Sequence, residues 1–567
     1  MMAEELRFVA LGGVGEIGMN AYLYGYGDRW LLVDLGIGFA DDRLPGVDIV
    51  LPDPRFLEAE KDKLAGLVLT HAHEDHLGAV PYLWPRLGCP IWCTRFAAAV
   101  LRRKLLDTGI SPGEAIREVE PRRTFRVGPF DCRFLHVTHS IPEANALLLE
   151  TPAGRLLHTG DWKLDPAPLL GPTTDRDGLE EAGEGRILAM IGDSTNVLAA
   201  GSSGSEAEVR DSLMELIAAQ PNRVVLTTFA SNLVRMESAI LAGVAAGRRP
   251  FVVGRSMRRM LEAAREVGYL EDLPPLGDER ELMELPRHRV MALVTGSQGE
   301  ARSALQRIAA GGHPRLRLEP GDTVIFSAKI IPGNERVLFD LHNQLVAQGI
   351  EVVTEEDHFV HVSGHPCRDE LEQMYRWIRP EIAIPVHGEA RHLQAHVRLA
   401  KKLGVREALL VGDGDLVRLA PAPAAVVGKV PVGRLAVDGT GLVDVADELF
   451  RTRRRLAGNG VVSVSLVLDE QGSLLATPRL AAPGVIEPAR LDKLRAELES
   501  AIAEAVEALD DEAVLDDAEV EEAVRVAVRQ GLDLPRDRRP LVQVQITRLD
   551  AETLARLEDA EEGGPTR

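Results

Sequence analysis

The sequence predicts a multidomain α/β protein, and three observations carry that prediction. Its 567 residues exceed what one hydrophobic core organises and suggest three or four domains. Early in the chain, short strand patterns alternate with turns, and several of them end in histidine or aspartate. From about Ser205 onward, strand and helix patterns take turns, as they do in a parallel sheet.

Residues 21–24 and 30–33 read as strands flanking a Gly-Asp turn. Residues 65–69 are an apolar strand, and residues 132–137, 155–158 and 382–386 repeat the type. Residues 206–219 read as an amphipathic helix with Val209, Leu213 and Leu216 on one face. Residues 223–227 form a buried strand pattern, followed by a helical stretch through Leu241. Strand then helix recurs at 250–253 and 257–267, and again at 289–294 and 301–310; residues 323–326 add a strand. The run APAPAA at 420–425 opens a linker expected over 421–452. Beyond it, strand patterns at 461–468 and 541–546 enclose two helices, about 490–508 and 515–530, which makes a small α+β unit. Residues 561–567 are expected to fray.

Composition narrows the function classes. Apolar residues make up 45% of the chain, as in a soluble globular protein, and no apolar run approaches the roughly 20 residues needed to cross a bilayer. The N-terminus enters a strand pattern directly, without the basic and apolar stretches of a signal peptide, so the expected setting is cytoplasmic, with no membrane partner. Cys89, Cys93, Cys132 and Cys367 form no zinc-ribbon spacing and read as buried or free thiols. The net charge of −22 counts modestly against non-specific nucleic-acid binding. Much of the acid is local, because residues 501–523 carry ten carboxylates and no base, the pattern of a solvated helix face. Basic residues lie nearer the motifs, at Arg102, Arg103, Lys104, Arg235, Arg255, Arg258, Arg259 and Lys329, where they would suit a focused groove.

The densest chemistry is His71, His73, Asp75 and His76, spelling H-x-H-x-D-H directly after the strand at 65–69. A strand that ends in a tight loop can aim alternate side chains at one point. His71 and His73 can therefore share an ion, while Asp75 and His76 face a second. Imidazole with carboxylate suits zinc or manganese rather than calcium. The other strand ends supply His139, Asp161 and His387. Two ions that share a bridging carboxylate need about seven protein ligands, with a position left for water. Asp161, the only late carboxylate in the set, is the candidate bridge. The run Gly13 to Gly18 fits G-x-G-x-x-G, but a strand pattern follows where a dinucleotide fold needs a helix, so it reads as a tight turn.

H-x-H-x-D-H with a later His, Asp and His resembles the metallo-β-lactamase fold, an αββα sandwich with a dinuclear site at one edge of its sheets. Asp193-Ser194-Thr195-Asn196, Ser363-Gly364-His365 and Val386-His387-Gly388-Glu389 resemble the three further motifs of the β-CASP nucleases. The opening LGGVGEIGMN, the segment HSIPE at 139–143, Gly254-Arg255-Ser256-Met257 and Pro332-Gly333-Asn334-Glu335 are similar to bacterial ribonuclease J. The resemblance runs from about residue 6 to the C-terminal region and departs mildly at Ala72, where many relatives have glycine. It implies a lactamase-type domain over 1–205, a β-CASP domain over 206–358, a returning lactamase segment over 359–420 and a C-terminal domain over 453–560.

The resemblance implies a ribonuclease with 5′-to-3′ exonuclease and endonuclease activity in RNA maturation and decay. Two divalent ions, Zn2+ first and Mn2+ as the alternative, would activate water for attack on phosphorus. His365 would be the general acid for the leaving oxygen or a stabiliser of the pentacoordinate phosphorus, and Asp193 would orient it. By the same resemblance, a 5′ monophosphate docks near His361, Ser363 and Gly364, beside His365. Thr228, Phe229, Ser231 and Asn232 would line the RNA path, with Phe229 as a stacking face, and Arg255, Ser256, Gln298 and Glu300 would join them. His136, His158 and His358 read as structural or ligand-supporting, with His158 the best candidate to orient a metal ligand. Partners implied are single-stranded RNA, RNA-degradation proteins and a second or fourth copy of the chain joined through the C-terminal domain. The competing readings are a β-CASP DNA nuclease, a small-molecule hydrolase, which would have no use for the long insertion, and a scaffold with little catalysis.

Overall fold

A computed structural model describes residues 4–562 except 533 and 535–537, with backbone alone for 557–562. The described residues form two compact units. One comprises residues up to Gly38 together with Ile49–Leu435, the other Phe39–Asp48 together with residues from Ala436 onward.

In the first unit, two sheets face each other. The eight-stranded sheet includes Leu6–Gly12, Ala21–Tyr26, Arg29–Val33 and Leu64–Val68 as neighbours. The seven-stranded sheet runs from Thr124–Val127 through Phe130–His136, Asn145–Thr151, Gly154–His158 and Ala189–Asp193 to Ile382–Val386 and Glu407–Ala408. Phe8, Tyr22, Leu31 and Val33 from one sheet meet Phe130, Phe134, Leu147, Ile191 and Ile384 from the other in the inner core. The outer face of the seven-stranded sheet is covered by Arg176–Glu184, Arg368–Ile378 and Ala390–Lys402, through Leu179, Leu371, Met374 and Leu399. Both faces of the strand Ile382–Val386 are buried, which explains its continuous apolar reading.

Between the strand Ala189–Asp193 and its parallel neighbour Ile382–Val386, the chain builds a separate five-stranded sheet. Its order is Arg249–Val253, Val290–Val294, Val224–Thr227, Thr323–Phe326, Glu351–Val353, and all pairings are parallel. The helix Glu206–Ala219 opens this insertion with a reciprocal Ser205/Glu208 capping box. Val209, Leu213 and Leu216 are buried, as the helical spacing requires.

The segment expected to be a linker is structured. Ala425–Lys429 pairs antiparallel with Asp415–Ala420, so the prolines occupy a hairpin loop and the second strand extends the eight-stranded sheet. Arg434–Asp438 and Gly441–Asp444 are further strands, and the helix Glu448–Asn459 crosses the expected domain start at 453. Proline clusters punctuate hairpins as well as linkers, and only the pairing partner distinguishes the two. In the second unit, Val461–Asp469 pairs in parallel with Leu541–Leu549 and antiparallel with Arg479–Ala481. The helices Pro488–Glu507 and Asp517–Gly531 pack on this sheet through Leu498, Ile502, Val520 and Val524. The frayed end expected at 561–567 begins in residues of which only the backbone is described, and 563–567 lie outside the described residues.

Candidate functional site

Strand ends converge at one edge of the two facing sheets. His71 and His73 follow Leu64–Val68, and Asp75 and His76 sit in the short helix Glu74–Leu77. His139 follows Phe130–His136, Asp161 follows Gly154–His158, and His387 follows Ile382–Val386. Their donor atoms fall into two groups: His71, His73, His139 and Asp161, and Asp75, His76, Asp161 and His387. Asp161 belongs to both, and its Oδ2 lies 3.9 Å from His71 Nε2, 3.9 Å from His139 Nε2 and 3.1 Å from His76 Nε2. All seven sequence-selected ligands are brought together.

The hydrogen bonds around the cluster decide where the imidazole protons sit. Asp34, fully buried, accepts from Thr70 N–H and Thr70 Oγ1–H, both at 2.8 Å, and from His76 Nδ1–H at 2.7 Å. Thr70 Oγ1 already uses its one hydrogen to donate to Asp34, so it accepts from His71 Nδ1–H at 3.0 Å. His139 Nδ1–H donates to the Gly364 carbonyl at 2.6 Å. Thr195 Oγ1 donates to Asp193 Oδ1 at 2.7 Å and accepts from His387 Nδ1–H at 2.8 Å. In each case Nδ1 holds a proton and Nε2 faces the cluster: on His71 and His139 as a lone pair, on His76 and His387 as the nitrogen from which a bound cation would displace a second proton.

This pattern fits a bound cation. His73 Nδ1 stands 3.1 Å from His71 Nε2 and 3.0 Å from His139 Nε2, both lone-pair nitrogens. One N–H cannot satisfy both contacts in line, and nitrogens about 3.3 Å apart are what a tetrahedral zinc with bonds of ~2.0–2.1 Å requires. Burial, with repulsion from its neighbours, pushes the His71 and His139 pKa values well down, and burial carries His73 to about 4, so this end holds neutral imidazoles. At the other end, burial is outweighed by carboxylates. Asp161, Asp75 and Asp34 hold His76 well up, and Asp161 with Asp193 and Asp75 carries His387 to about 10.

His365 lies at the edge of the cluster with its Nδ1 2.8 Å from Asp193 Oδ2. Burial lowers its pKa, but Asp193 and Asp161 outweigh that and leave it above the ordinary histidine value. Asn196 Nδ2–H groups donate to Ser363 Oγ at 2.7 Å and to the His365 carbonyl at 3.1 Å, which ties the 363–365 turn to the 193–196 turn. Gly364 touches His139 so closely that a Cβ would lie 2.7 Å from the ring Cε1, so no larger residue fits without moving a ligand. His361 has a buried Nδ1 without a hydrogen-bond partner, and burial together with Arg235, Lys329 and Lys163 holds its pKa well below the usual range.

The structure also gives several other residues singled out in the sequence partners within the fold. Asn232 is buried and caps the helix Leu233–Ala245 by accepting from Arg235 N–H, and Thr228 Oγ1 donates to the Ser327 carbonyl. Gln298 brackets the loop 329–334, donating to the Lys329 carbonyl and accepting from Ile331 N–H, and Glu300 accepts from Gln298 N–H. These side chains build the loops. Phe229 and Ser231 are half-buried, Arg255 and Ser256 are exposed at a helix start, and none of the four bonds to the ligand cluster. His158 shares a hydrogen bond with the Tyr24 hydroxyl at 2.9 Å in the inner core; His136 bonds the Pro172 carbonyl. Most of the expected basic groove is neutralised by ion pairs: Arg102 with Glu118, Arg103 with Glu266, Lys104 with Glu74, Arg258 with Glu279, Arg259 with Asp107, and Arg235 with Glu206.

The sequence reading missed Asp34, Thr70, Thr195 and Asn20. Asn20 donates to the Asp75 carbonyl at 3.0 Å and is itself held by Tyr22. Asp34 carried a usable signal, since it follows the strand Arg29–Val33 as the ligands follow theirs. The glycine turn at 13–18 also has a role: the Gly13 carbonyl accepts from His387 N–H at 2.7 Å and so sets the last ligand's loop. All four cysteines are buried and free.

Comparison with known proteins agrees with this geometry. Residues 14–226 match the metallo-β-lactamase superfamily, and residues 221–345 match the β-CASP domain of ribonuclease J. Residues 349–410 match the RNA specificity domain of Zn-dependent metallo-hydrolases, and residues 449–549 match the ribonuclease J C-terminal domain. Curated relatives named Ribonuclease J include one from Sinorhizobium meliloti, 42% identical over 96% of this chain and 98% of the relative. Another, from Mycolicibacterium smegmatis, is 38% identical over 95% of this chain and 96% of the relative. One from Thermus thermophilus is 37% identical over 82% of this chain and 83% of the relative. Converging imidazoles and carboxylates thus sit on a scaffold matched along nearly its whole length, and the chain belongs to the ribonuclease J family of metal-dependent ribonucleases.

Proposed function

We propose that this ribonuclease acts as a 5′-to-3′ exonuclease that prefers 5′-monophosphorylated RNA and also cleaves internally, in RNA maturation and decay. The observation that supports it best is the adjacency of three parts: the seven-ligand cluster, the His365–Asp193 pair, and the turn 363–365 pinned to both. When bound, two divalent ions, Zn2+ before Mn2+, supply an acidified water as nucleophile and offset charge at the phosphoryl group. The chain's own residues do the rest. His71, His73, Asp75, His76, His139, Asp161 and His387 would hold the ions. Asp193 holds Nδ1 of His365, so that Nε2 can pass a proton to the departing 3′ oxygen or stabilise the phosphorus as it becomes pentacoordinate. The product would carry a 5′ phosphate.

In this reading the terminal phosphate of the substrate docks at His361, Ser363 and Gly364, one nucleotide from the scissile bond. The buried, unpartnered His361 nitrogen, close enough to Lys329 and to the ion-paired Arg235 and Lys163 to feel their charge, supports an anion there. Phe229, Ser231, Arg255 and Ser256 would follow the RNA strand, and the C-terminal domain would join copies of the chain into a dimer or tetramer. The test is digestion of one 3′-labelled RNA bearing a 5′ monophosphate or a 5′ triphosphate, with Mn2+ or with chelator. Metal-dependent release of mononucleotides, faster from the monophosphate, is expected. Internal fragments alone, indifferent to the 5′ end, would remove the phosphate pocket; cleavage of DNA alone would remove the RNA preference.

A further inference from the structure

We infer that Arg235, acting through Ser327, is a positioning residue for recognition of the RNA 5′ end: it sets the backbone at Val360 and thereby the placement of His361. The inference rests on the reading of His361 and Ser363 as the terminal-phosphate pocket.

Arg235 is fully buried, and all three of its guanidinium nitrogens donate hydrogen bonds, the two Nη1 hydrogens being shared among three acceptors. Nε and Nη2 donate to the two carboxylate oxygens of Glu206 at 3.0 and 2.9 Å. Nη1 donates to Ser327 Oγ at 2.8 Å, the Ser327 carbonyl at 3.0 Å and the Val360 carbonyl at 2.9 Å. Ser327 Oγ–H donates to the same Val360 carbonyl at 2.7 Å. Two donors therefore converge on the peptide bond that precedes His361. The planar fork of arginine fixes directions that a lysine ammonium would leave free.

The other end of this network reaches the ligand-bearing loops. Glu206 N–H and Ser205 Oγ–H donate to Asp165 at 3.0 and 2.7 Å, and Lys163 Nζ reaches Asp165 at 3.1 Å and the Gly204 carbonyl at 3.0 Å. Lys163 N–H donates to the carbonyl of Thr138, the residue before His139, Thr138 Oγ1–H donates back to the Lys163 carbonyl, and Lys163 stands two residues after Asp161. One buried polar chain thus runs from the loops of His139 and Asp161 to the residue before His361. The neighbouring turn 363–365 is tied separately, through Asn196 and His139. His361 depends on the Arg235 path alone among these tethers.

A purely structural ion pair would be as important for any RNA as for one with a terminal phosphate, and that difference supplies the test. Ser327→Ala removes one of the two donors to Val360 and leaves the Arg235–Glu206 pair; Arg235→Lys keeps the charge and loses the fork. Steady-state cleavage is measured on one RNA sequence bearing a 5′ monophosphate or a 5′ hydroxyl, on metal-loaded protein with matched melting curves and metal content. For Ser327→Ala, kcat/KM on the monophosphate is expected to fall about tenfold, mainly through KM, as one charge-assisted hydrogen-bond path is lost. The 5′-hydroxyl RNA should stay within about twofold, and Arg235→Lys should show the same asymmetry more strongly. Equal losses on both RNAs, or no loss on either, would overturn the inference. If the parent protein itself did not distinguish the two RNAs, the phosphate-pocket reading would fall first and the inference with it.

Discussion

Asp34→Asn should cost metal affinity rather than fold. Asp34 has a left-handed backbone with φ of 62°, which asparagine tolerates as well as aspartate, so the substitution isolates the carboxylate. Its Oδ1 accepts from Thr70 N–H, and an asparagine Oδ1 keeps that bond. At Oδ2 the polarity reverses. The aspartate oxygen accepts from both His76 Nδ1–H and Thr70 Oγ1–H; an amide nitrogen there can only donate. His76 would then accept at Nδ1 and carry its proton on Nε2, the atom that faces Asp161 at 3.1 Å. Thr70 Oγ1 would accept from the amide and donate to His71 Nδ1, which moves the His71 proton to Nε2 as well. One substitution thus turns two ligand lone pairs into N–H groups. Loss of such an orienting partner typically weakens metal binding 10–100-fold, about 1.4–2.7 kcal/mol, and two affected ligands place this case at the upper end. The assay is Zn2+ titration of metal-free protein against a competing chromophoric chelator, with melting curves alongside. Both binding steps should weaken, the step involving Asp75, His76 and His387 at least as much as the other. Two equivalents bound within threefold of the parent's affinities would refute the assignment of Asp34 as the group that sets these tautomers.

Three further outcomes are expected. His365→Ala should lower kcat by about 10²–10⁴, the usual worth of a positioned acid, with bound metal unchanged by elemental analysis; a loss of less than tenfold would remove it from proton transfer. Burial and the adjacent Glu16 hold the Asp413 pKa at about 8, while Val14 N–H donates to its Oδ1 at 3.2 Å. The unfolded chain ionises it near ~3.9, so between those values the folded state keeps a proton that the unfolded chain has released, and stability falls as pH rises through the window. Asp413→Asn should therefore match the parent near pH 4 and exceed it above pH 8 by roughly 2 kcal/mol, after discounting ~1.4 kcal/mol per unit for partial exposure; a difference independent of pH in chemical denaturation would contradict this. Chelator should lower the melting temperature, since ligands at 100 times their Kd stabilise by about 2.7 kcal/mol, and Asp161→Asn should abolish that response.

The ligand set was legible because each donor follows a strand whose apolar run is visible locally, and a strand end points its next side chains in a known direction. Glu206–Ala219, Thr323–Phe326 and the alternating insertion were legible for the same reason: periodicity is a short-range signal. Local sequence could not reveal partners. The APAPAA run became a hairpin because Ala425–Lys429 found Asp415–Ala420. Arg235, which reads as a groove cation, is the buried anchor of Val360 because Glu206 lies opposite it. Asn232 caps a helix, and most nearby arginines meet carboxylates far along the chain. By itself, then, the sequence determined the fold class and which strand-end imidazoles and carboxylates form the candidate metal site, both local patterns, while the reaction type came from motif resemblance. Only the tertiary structure decided which nitrogen of His71, His76, His139 and His387 faces the cluster, through Thr70, Asp34, Gly364 and Thr195, because a proton's position depends on a partner that folding brings within about 3 Å.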